Sequence, residues 1–180
     1  MADVVPDRRS AVLESALDTF ARRGYRATSM EDVAQRARIS RPGLYLYFSS
    51  KPDLLRAAVE HALARDVARC EALLSDSALP LRERLQRAID LWSGQYVGPL
   101  STDLDGLLQS DAALLGDMPQ RYSARFSAAL TEALRPAPGH SDPESVRDLL
   151  LTVAVGLKHR AADAQDFSAR LHEALEIILR

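Results

Sequence analysis

Residues 28–51 read TSMEDVAQRARISRPGLYLYFSSK, and this stretch decides the fold because it predicts two short helices joined by a tight turn. Either Thr28 or Ser29 is a good cap for the first helix, since a hydroxyl oxygen accepts a hydrogen bond from a free N–H group at a helix start. Acidic residues then follow in the first turn, where negative charge favours the helix dipole. We therefore expect a helix to begin near Met30.

A second helix is predicted after a turn at Arg38 and Ile39. Ser40 is a good N-cap, and Pro42 falls in the first turn, where its missing N–H group loses no hydrogen bond. The helix pattern separates an apolar stripe from an opposite face. The stripe consists of Leu44, Tyr47 and Phe48, and the opposite face of Arg41, Gly43 and Tyr45. This arrangement is typical of a helix-turn-helix whose second helix enters the major groove of DNA.

Individual residues of the second helix have the chemistry for DNA contacts. Arg41 lies in the first turn, where its guanidinium can donate two hydrogen bonds to a guanine. Tyr45 can donate its hydroxyl to a phosphate. Tyr47 is open to two interpretations, because its position fits both the buried stripe and the groove. Further on, Ser50 predicts a new helix with a capping-box-like arrangement, which leaves Lys51 beside the DNA backbone.

The turn contains one residue that opposes the pattern. A sharp turn between two such helices needs a residue in the left-handed region, where glycine is favoured, and this chain has Arg38 there. A non-glycine residue in that conformation costs about 1 kcal/mol. We therefore expect that Arg38→Gly leaves folding intact or raises stability.

Five segments of this region resemble the N-terminal domain of the TetR/AcrR family of transcriptional regulators. They are GYRATS at 24–29, DVA at 32–34, IS at 39–40, GLYLYF at 43–48 and SKPDLL at 50–55. The resemblance implies phosphate contacts for Thr28 or Ser29, Tyr45 and Lys51, and base or groove-wall contacts for other residues of the second helix. The candidate DNA-binding residues are Thr28, Ser29, Ser40, Arg41, Pro42, Gly43, Tyr45, Leu46, Tyr47 and Lys51. Arg38 departs from the glycine that is usual in the family.

Composition predicts the fold class of the whole chain. Its 180 residues are 47% hydrophobic, contain no run of strand-like alternation, and have Pro and Gly at predicted helix ends. We expect an all-α protein with two domains. An N-terminal three-helix helix-turn-helix domain would occupy residues 1–52, and a C-terminal helical domain for ligand binding and dimerisation would occupy residues 53–180.

Charge is unevenly distributed along the chain. The net charge is −2, yet residues 1–51 hold nine Lys and Arg residues against six Asp and Glu residues. The excess of positive charge therefore coincides with the helix-turn-helix, as expected for a segment that approaches phosphates.

Two apolar helices are predicted at the C-terminal end, with Asp163 as the cap of the second. The resemblance implies a homodimer formed through these helices, and a dimer places two recognition helices about 34–36 Å apart on a palindromic operator. The alternative is that the two apolar faces complete the core of the monomer. The faces consist of Val146, Leu149, Leu150, Val153, Ala154 and Leu157, and of Phe167, Leu171, Leu175 and Ile178.

A ligand cavity among the middle helices is a further implication of the resemblance. The candidate lining residues are Trp92, Tyr96, Met118, Tyr122, Phe126 and His159, and Gln95, Asp103, Asp105, Gln109 and Asp111 are candidate polar anchors. Large apolar residues at helical spacing are by default part of a packed core, and the polar candidates are more simply solvated turn residues. The ligand would be a small-molecule effector of unknown identity.

Other functions have little support in the sequence. We find no catalytic constellation, no metal-ligand spacing and no motif for a cofactor. Cys70 is the only cysteine, which excludes an internal disulfide and favours a reducing compartment. No signal peptide or membrane span is predicted, so we expect a cytoplasmic protein. The sequence thus predicts a ligand-responsive regulator, most simply a repressor. The alternatives are a regulator gated by a protein partner or by no effector, and a helical enzyme or carrier.

Overall fold

The computed structural model describes residues 8–94, 97, 112–135 and 142–179. These residues form nine helices and no strand, which confirms the predicted all-α class. The helices are α1 (Arg8–Arg23), α2 (Met30–Arg36), α3 (Arg41–Tyr45), α4 (Lys51–Ser75), α5 (Leu81–Trp92), α6 (Ala112–Leu115), α7 (Met118–Leu134), α8 (Pro143–Arg160) and α9 (Ala164–Ile178). Within the described ranges, no helix is both long enough and apolar enough to cross a membrane.

The described residues divide into two compact units. One contains residues 8–64 and 112–118, and the other contains residues 65–97 and 119–179. Helix α4 contributes to both, because the division falls between Ala64 and Arg65. The domain boundary expected at residue 52 stays a prediction.

The first unit contains the three-helix motif. Helix α2 packs against α1 and α3, and the side chains that α2 and α3 bury are small or apolar. Val33, Ala34 and Leu44 have no exposed surface. The absence of a bulky side chain at Ala34 allows neighbouring helices to approach closely. Residues buried on α1 include Val12, Leu13, Ala16 and Phe20.

The second unit has one apolar core. Helix α9 packs against α5 and α8, and the buried stripes of α4, α5 and α7 contribute to the same core. Asp163 caps α9 as predicted, since its side chain accepts a hydrogen bond from the backbone N–H of Asp166 at 2.9 Å.

The apolar faces of the last two helices serve mainly this core. The residues buried there are Val146, Leu150, Ala154, Phe167, Leu171 and Leu175, so these six agree with the alternative in which the apolar faces complete the core of the monomer. Three other large apolar side chains on the same helices remain exposed: Leu149, Val155 and Ile177. Any interface through these helices would therefore use side chains outside the buried stripes.

Candidate nucleic-acid interface

Helix α3 begins at a well-formed cap. The Oγ atom of Ser40 accepts a hydrogen bond from the backbone N–H of Gly43 at 3.1 Å, and Pro42 lies in the first turn. Both roles agree with the sequence prediction. The two residues are in close contact, because a Cβ atom at position 43 would lie 3.0 Å from Ser40 Oγ, and a larger residue there would require the Ser40 side chain to shift by a few tenths of an ångström. Ser40 and Gly43 thus act together to start the helix.

Side chains of α3 and of the three residues that follow it fall into a buried set and an exposed set. Leu44 and Phe48 are buried, whereas Leu46 is 87% exposed and Tyr45 and Tyr47 are each nearly half exposed. Tyr47, which fitted both faces in sequence, is therefore on the solvent side. Three consecutive large side chains in solvent are unusual for a surface without a partner. The buried pair anchors the helix, and the exposed residues are available to a binding partner.

Arg41 also lies on the exposed side of α3. Its guanidinium carbon is 5.8 Å from the centroid of the Tyr45 ring, a distance at which a cation is attracted to an aromatic face. In the described part of the chain, Arg41 has no acidic partner. Its charge is consequently available for an external acceptor.

The turn before α3 has the predicted geometry. Arg38 has a φ of 54°, which lies in the left-handed region. The backbone N–H groups of Arg38 and Ile39 donate to the carbonyl oxygens of Gln35 and Ala34, at 3.1 and 3.0 Å. These hydrogen bonds close the turn through the backbone alone. An arginine side chain is therefore tolerated at a position where glycine would be easier.

The cap of α2 is Ser29 rather than Thr28. The Ser29 hydroxyl accepts a hydrogen bond from the N–H of Asp32, and the Asp32 carboxylate accepts one from the N–H of Ser29 at 2.8 Å. The Ser29 hydroxyl also donates to the Asp32 carboxylate at 2.6 Å. This hydrogen bond is the first cause that lowers the pKa of Asp32, followed by the one from the Ser29 backbone N–H, with a smaller effect from Arg23. The side chains of Ser29 and Asp32 thus form a capping box.

Thr28 has a different role. Its side chain is buried, and its hydroxyl donates to the carbonyl oxygen of Gly24 at 2.8 Å. A hydroxyl in this position is turned away from solvent, which argues against the phosphate contact expected for it. Ser29, by contrast, is exposed at the start of α2.

Lys51 makes contacts that the sequence did not indicate. Its Nζ atom donates to the carbonyl oxygens of Thr28 and Tyr25 at 2.9 and 3.0 Å, and it lies 4.4 Å from the centroid of the Tyr25 ring. The side chain therefore fastens the segment between α1 and α2 to the first turn of α4. One of its three N–H donors remains for a phosphate.

The start of α4 is capped from both sides. Ser50 Oγ accepts a hydrogen bond from the backbone N–H of Asp53 at 3.2 Å, as predicted. The Asp53 carboxylate reaches back to the N–H of Ser49 at 2.8 Å rather than to that of Ser50, so the box is one residue wider than expected.

The arginines near the motif fall into two groups. Asp18 binds both Arg22 and Arg36, and Asp32 binds Arg23. The hydrogen bond from Arg22, and the charges of Arg22 and Arg36, hold the pKa of Asp18 below its ordinary value. The second group is exposed and has no acidic partner among the described residues, and it consists of Arg8, Arg9, Arg26, Arg38 and Arg41. The second group supplies the positive charge available to phosphates.

The candidate ligand residues are only partly brought together. Trp92 stacks on the buried Phe126 with 4.8 Å between ring centroids, and Tyr122 packs against the same core. Met118 is buried in the first unit, and His159 is exposed near the end of α8, so neither belongs to this aromatic cluster. Tyr96 lies outside the described residues, as do Gln95, Asp103, Asp105, Gln109 and Asp111.

Two further groups bear on the chemistry of the second unit. Burial raises the pKa of the Cys70 thiol to about 12, so the group is neutral and unreactive at ordinary pH. A polar cluster of Gln86, Asp90 and Ser168 links α5 to α9, and sequence reasoning missed it, because nothing in their spacing distinguishes these residues from solvated ones. Among the described residues, no group of His, Cys, Asp or Glu side chains could hold a metal ion.

Comparison with known proteins places the motif in a family. Residues 12–58 match the model of bacterial regulatory proteins of the tetR family. The transcriptional regulator YfiR of Bacillus subtilis is 41% identical over 56 residues, which are 31% of this chain and 27% of YfiR. The repressor KstR of Mycolicibacterium smegmatis is 24% identical over 178 residues, covering 96% of this chain and 87% of KstR.

The fold extends the match beyond the motif. The crystal structure of reduced NemR from Escherichia coli superposes with a TM-score of 0.77 at 18% identity, covering 96% of this chain and 97% of NemR. The segments matched in the first curated relatives span less than half of those proteins. The helix-turn-helix geometry and the sequence match agree: residues 12–58 form a helix-turn-helix domain similar to that of bacterial regulatory proteins of the tetR family, and the remaining chain shares the all-helical fold of NemR.

Proposed function

We propose that this protein is a transcriptional repressor that binds a palindromic operator as a homodimer and is released by a small-molecule effector. The main support for DNA binding is the exposed side of α3 and of the residues that directly follow it. Arg41, Tyr45, Leu46 and Tyr47 are exposed there, while Leu44 and Phe48 hold the helix in the motif. A helix anchored in this way presents its first turn to the major groove.

The proposed contacts follow from exposure and chemistry. Arg41 would donate to a guanine, since it is exposed and lacks an acidic partner in the described structure. Tyr45 and the exposed Ser29 would bind phosphates, and Lys51 would add its remaining N–H donor. Helix residues without a strong donor would line the groove wall: Ser40, Pro42, Gly43, Leu46 and Tyr47. The Thr28 hydroxyl is left out because it is buried.

The homodimer part of the proposal has its support on the last two helices. Leu149, Val155 and Ile177 are 49%, 59% and 67% exposed, although the buried stripes of α8 and α9 already serve the core. Exposed apolar side chains on two packed helices are what a partner copy would cover. Two copies would also present two α3 helices to the two halves of a palindrome.

Effector control is proposed for the second unit. Its aromatic cluster of Trp92 and Phe126 lies in the part of the chain where the family resemblance implies a ligand cavity. Helix α4 contributes residues to both units, and we assign to it the coupling between ligand and DNA. An effector can shift DNA affinity only by its own difference in affinity between the two states. We propose repression because KstR, which matches 96% of this chain, is a repressor. We propose a cytoplasmic location because the proposed operator DNA lies in the cytoplasm.

The test is DNA binding by fluorescence anisotropy. The purified protein is titrated into labelled DNA from upstream of its own gene, and into a scrambled duplex of equal composition, at several salt concentrations. We expect preference for the native fragment and an affinity that falls steeply as salt rises. Equal binding to both duplexes at all salt concentrations would contradict operator recognition in that fragment. Sedimentation of the free protein and of an L149S/I177S double variant tests the dimer, which the variant should weaken.

A further inference from the structure

Two side chains on the exposed side of α3 contact each other. Arg41 is the first residue of this helix and Tyr45 is the last, and residues four apart in an α-helix lie on the same face, one turn from each other. The guanidinium carbon of Arg41 lies over the Tyr45 ring, 5.8 Å from its centroid. A cation is attracted to the face of an aromatic ring within about 6 Å. Tyr45 therefore restricts where the Arg41 guanidinium lies before any DNA is bound.

Other arginines of the motif are held in a different way. Arg22 and Arg36 both donate to Asp18 at 2.6 Å. A carboxylate uses the N–H donors of a guanidinium and offsets its charge. An aromatic ring has no net charge, and it stacks on the face of a guanidinium, whose five N–H donors lie in the plane and point outward. The contact with Tyr45 thus restricts Arg41 and leaves donors for an acceptor outside the protein.

The backbone beneath this pair is fixed by its surroundings. Ser40 Oγ accepts a hydrogen bond from the N–H of Gly43 at 3.1 Å, and the buried Leu44 anchors the helix between the two exposed side chains. The freedom that remains to Arg41 is therefore in its side-chain rotamers. An arginine loses much of that freedom when it forms a fixed contact. Because the Tyr45 ring already limits the rotamers, less is lost when the arginine binds a base.

We propose that Tyr45 is a positioning residue for base recognition, whose ring holds the Arg41 guanidinium ready to donate two hydrogen bonds to a guanine. The inference rests on the proposed function, because it assigns specificity within the proposed DNA contact. The Tyr45 hydroxyl, at the far end of the ring, is the group proposed to bind a phosphate. A phosphate contact carries no sequence information. The ring should therefore affect discrimination between bases, and the hydroxyl should affect affinity for all sequences.

The experiment measures discrimination at one base pair. The whole protein selects a duplex from randomised DNA, and fluorescence anisotropy compares this duplex with its single-base variants. The relevant position is the one at which Arg41→Ala loses discrimination. Tyr45→Leu should lower the affinity ratio at that position by about two- to fivefold, whereas Tyr45→Phe, which keeps the ring, should preserve it. In the Arg41→Ala background, Tyr45→Leu should change the ratio no further.

Tyr47→Leu is the matched control. Tyr47 is 44% exposed against 43% for Tyr45, and its ring contacts that of Phe48, with 6.2 Å between the centroids. Any effect of Tyr47→Leu on the ratio should add to that of Arg41→Ala, since independent sites act additively. Thermal melts of all variants check that they are folded, which the exposure of both tyrosines favours.

A second readout needs no DNA. In NMR spectra of the free protein, the ring current of Tyr45 should shift the Hδ protons of Arg41 upfield. The shift should be present in the wild type and in Tyr45→Phe and absent in Tyr45→Leu. Equal Arg41 shifts in all three proteins would show that the ring does not hold the guanidinium in solution, and would overturn the proposal.

Four results of the DNA experiment would also overturn it. Arg41→Ala could relax no base pair, or Tyr45→Leu could leave discrimination intact where Arg41→Ala loses it. An equal loss in Tyr45→Phe would assign the effect to the hydroxyl, and a loss that persists in the Arg41→Ala background would show that Tyr45 does not act through Arg41. All four leave operator binding standing. A wild type that selects no sequence would instead refute the proposed function, and base positioning with it.

Discussion

The ammonium group of Lys51 lies 2.9 Å from the carbonyl oxygen of Thr28 and 3.0 Å from that of Tyr25. A side chain at the start of α4 thus holds the segment that leads into α2. The family resemblance implies a phosphate contact for this lysine, and the structure adds a contact within the protein. The two roles have different experimental signatures.

Lys51→Met should separate these roles. Loss of the internal hydrogen bonds leaves two carbonyl oxygens without this donor, so the free energy of unfolding should fall by about 1–3 kcal/mol. If Lys51 also neutralises a phosphate, the slope of log affinity against log salt should decrease by about one per protomer. Urea unfolding and salt-dependent anisotropy measure the two effects. Unchanged stability would contradict the internal role, and an unchanged slope would contradict the phosphate contact.

Arg38→Gly should keep or raise stability. The left-handed conformation of Arg38 costs about 1 kcal/mol that glycine avoids, although glycine also loses more entropy on folding. We therefore expect a gain between about 0 and 1 kcal/mol in urea unfolding. The adjacent Ala37→Gly is the matched control, because Ala37 has an ordinary right-handed φ of −78° and should lose stability. A clear loss with Arg38→Gly would show that the arginine side chain makes a contact worth more than the strain.

Leu44 and Leu46 are two residues apart, but substitution by alanine should affect the free energy of unfolding strongly at Leu44 and little at Leu46. Leu44 is completely buried and Leu46 is 87% exposed. Leu44→Ala should cost about 2–5 kcal/mol of unfolding free energy, and Leu46→Ala should change it by less than about 0.5 kcal/mol. Leu46→Ala should nevertheless weaken operator binding if the side chain touches the groove wall. Equal stability losses in the two variants would refute the placement of α3.

Arg41→Ala tests base recognition. A bidentate contact to guanine predicts a loss of about 1–3 kcal/mol on the operator, and relaxed specificity at one base pair of each half-site. Arg135→Ala is a control of equal charge loss, since Arg135 is exposed in the second unit and pairs with Glu132. Competition anisotropy with single-base variants of the operator gives the readout. A uniform loss across all sequences would reassign Arg41 to a phosphate.

Acid should weaken the cap of α2. The pKa of Asp32 is below its ordinary value of 3.8 because Ser29 donates two hydrogen bonds to the carboxylate. A carboxyl group whose pKa is lowered on folding stabilises the fold above its unfolded pKa, and that contribution disappears as the pH falls through the folded pKa. The stability difference between wild type and Asp32→Asn should be constant from pH 7 to about pH 5 and shrink below about pH 4. A difference that stays constant down to pH 3 would contradict this assignment.

Local rules predicted the motif well. Ser40, Pro42 and Asp163 have the capping and first-turn roles expected from helix chemistry, and Arg38 has the left-handed backbone that the turn requires. These features depend on hydrogen bonds between residues close in sequence, which is why spacing alone identifies them. The choice between Thr28 and Ser29 was not open to the same reasoning. It depends on Thr28 turning inward to Gly24, and two adjacent hydroxyl residues look alike in sequence.

Contacts between distant residues were beyond sequence reasoning. Stripes on α8 and α9 were expected to meet a partner, but Leu150 and Leu171 pack in the chain's own core. His159 was grouped with Trp92 because both could line a cavity, yet it is exposed. Asp90 and Ser168 are 78 residues apart, and only the packing of α5 against α9 brings them together. Helical periodicity says which face is apolar, but not which neighbour covers it.

The close approach of Ser40 and Gly43 limits how this protein could acquire a new operator. A side chain at position 43 would place its Cβ atom 3.0 Å from the hydroxyl that caps α3. A mutation that adds a base-reading group there would therefore require the Ser40 side chain to shift by a few tenths of an ångström. Retargeting should proceed through Arg41, Tyr45, Leu46 and Tyr47 instead. A randomised library that varies those four positions and holds Ser40 and Gly43 fixed avoids that shift.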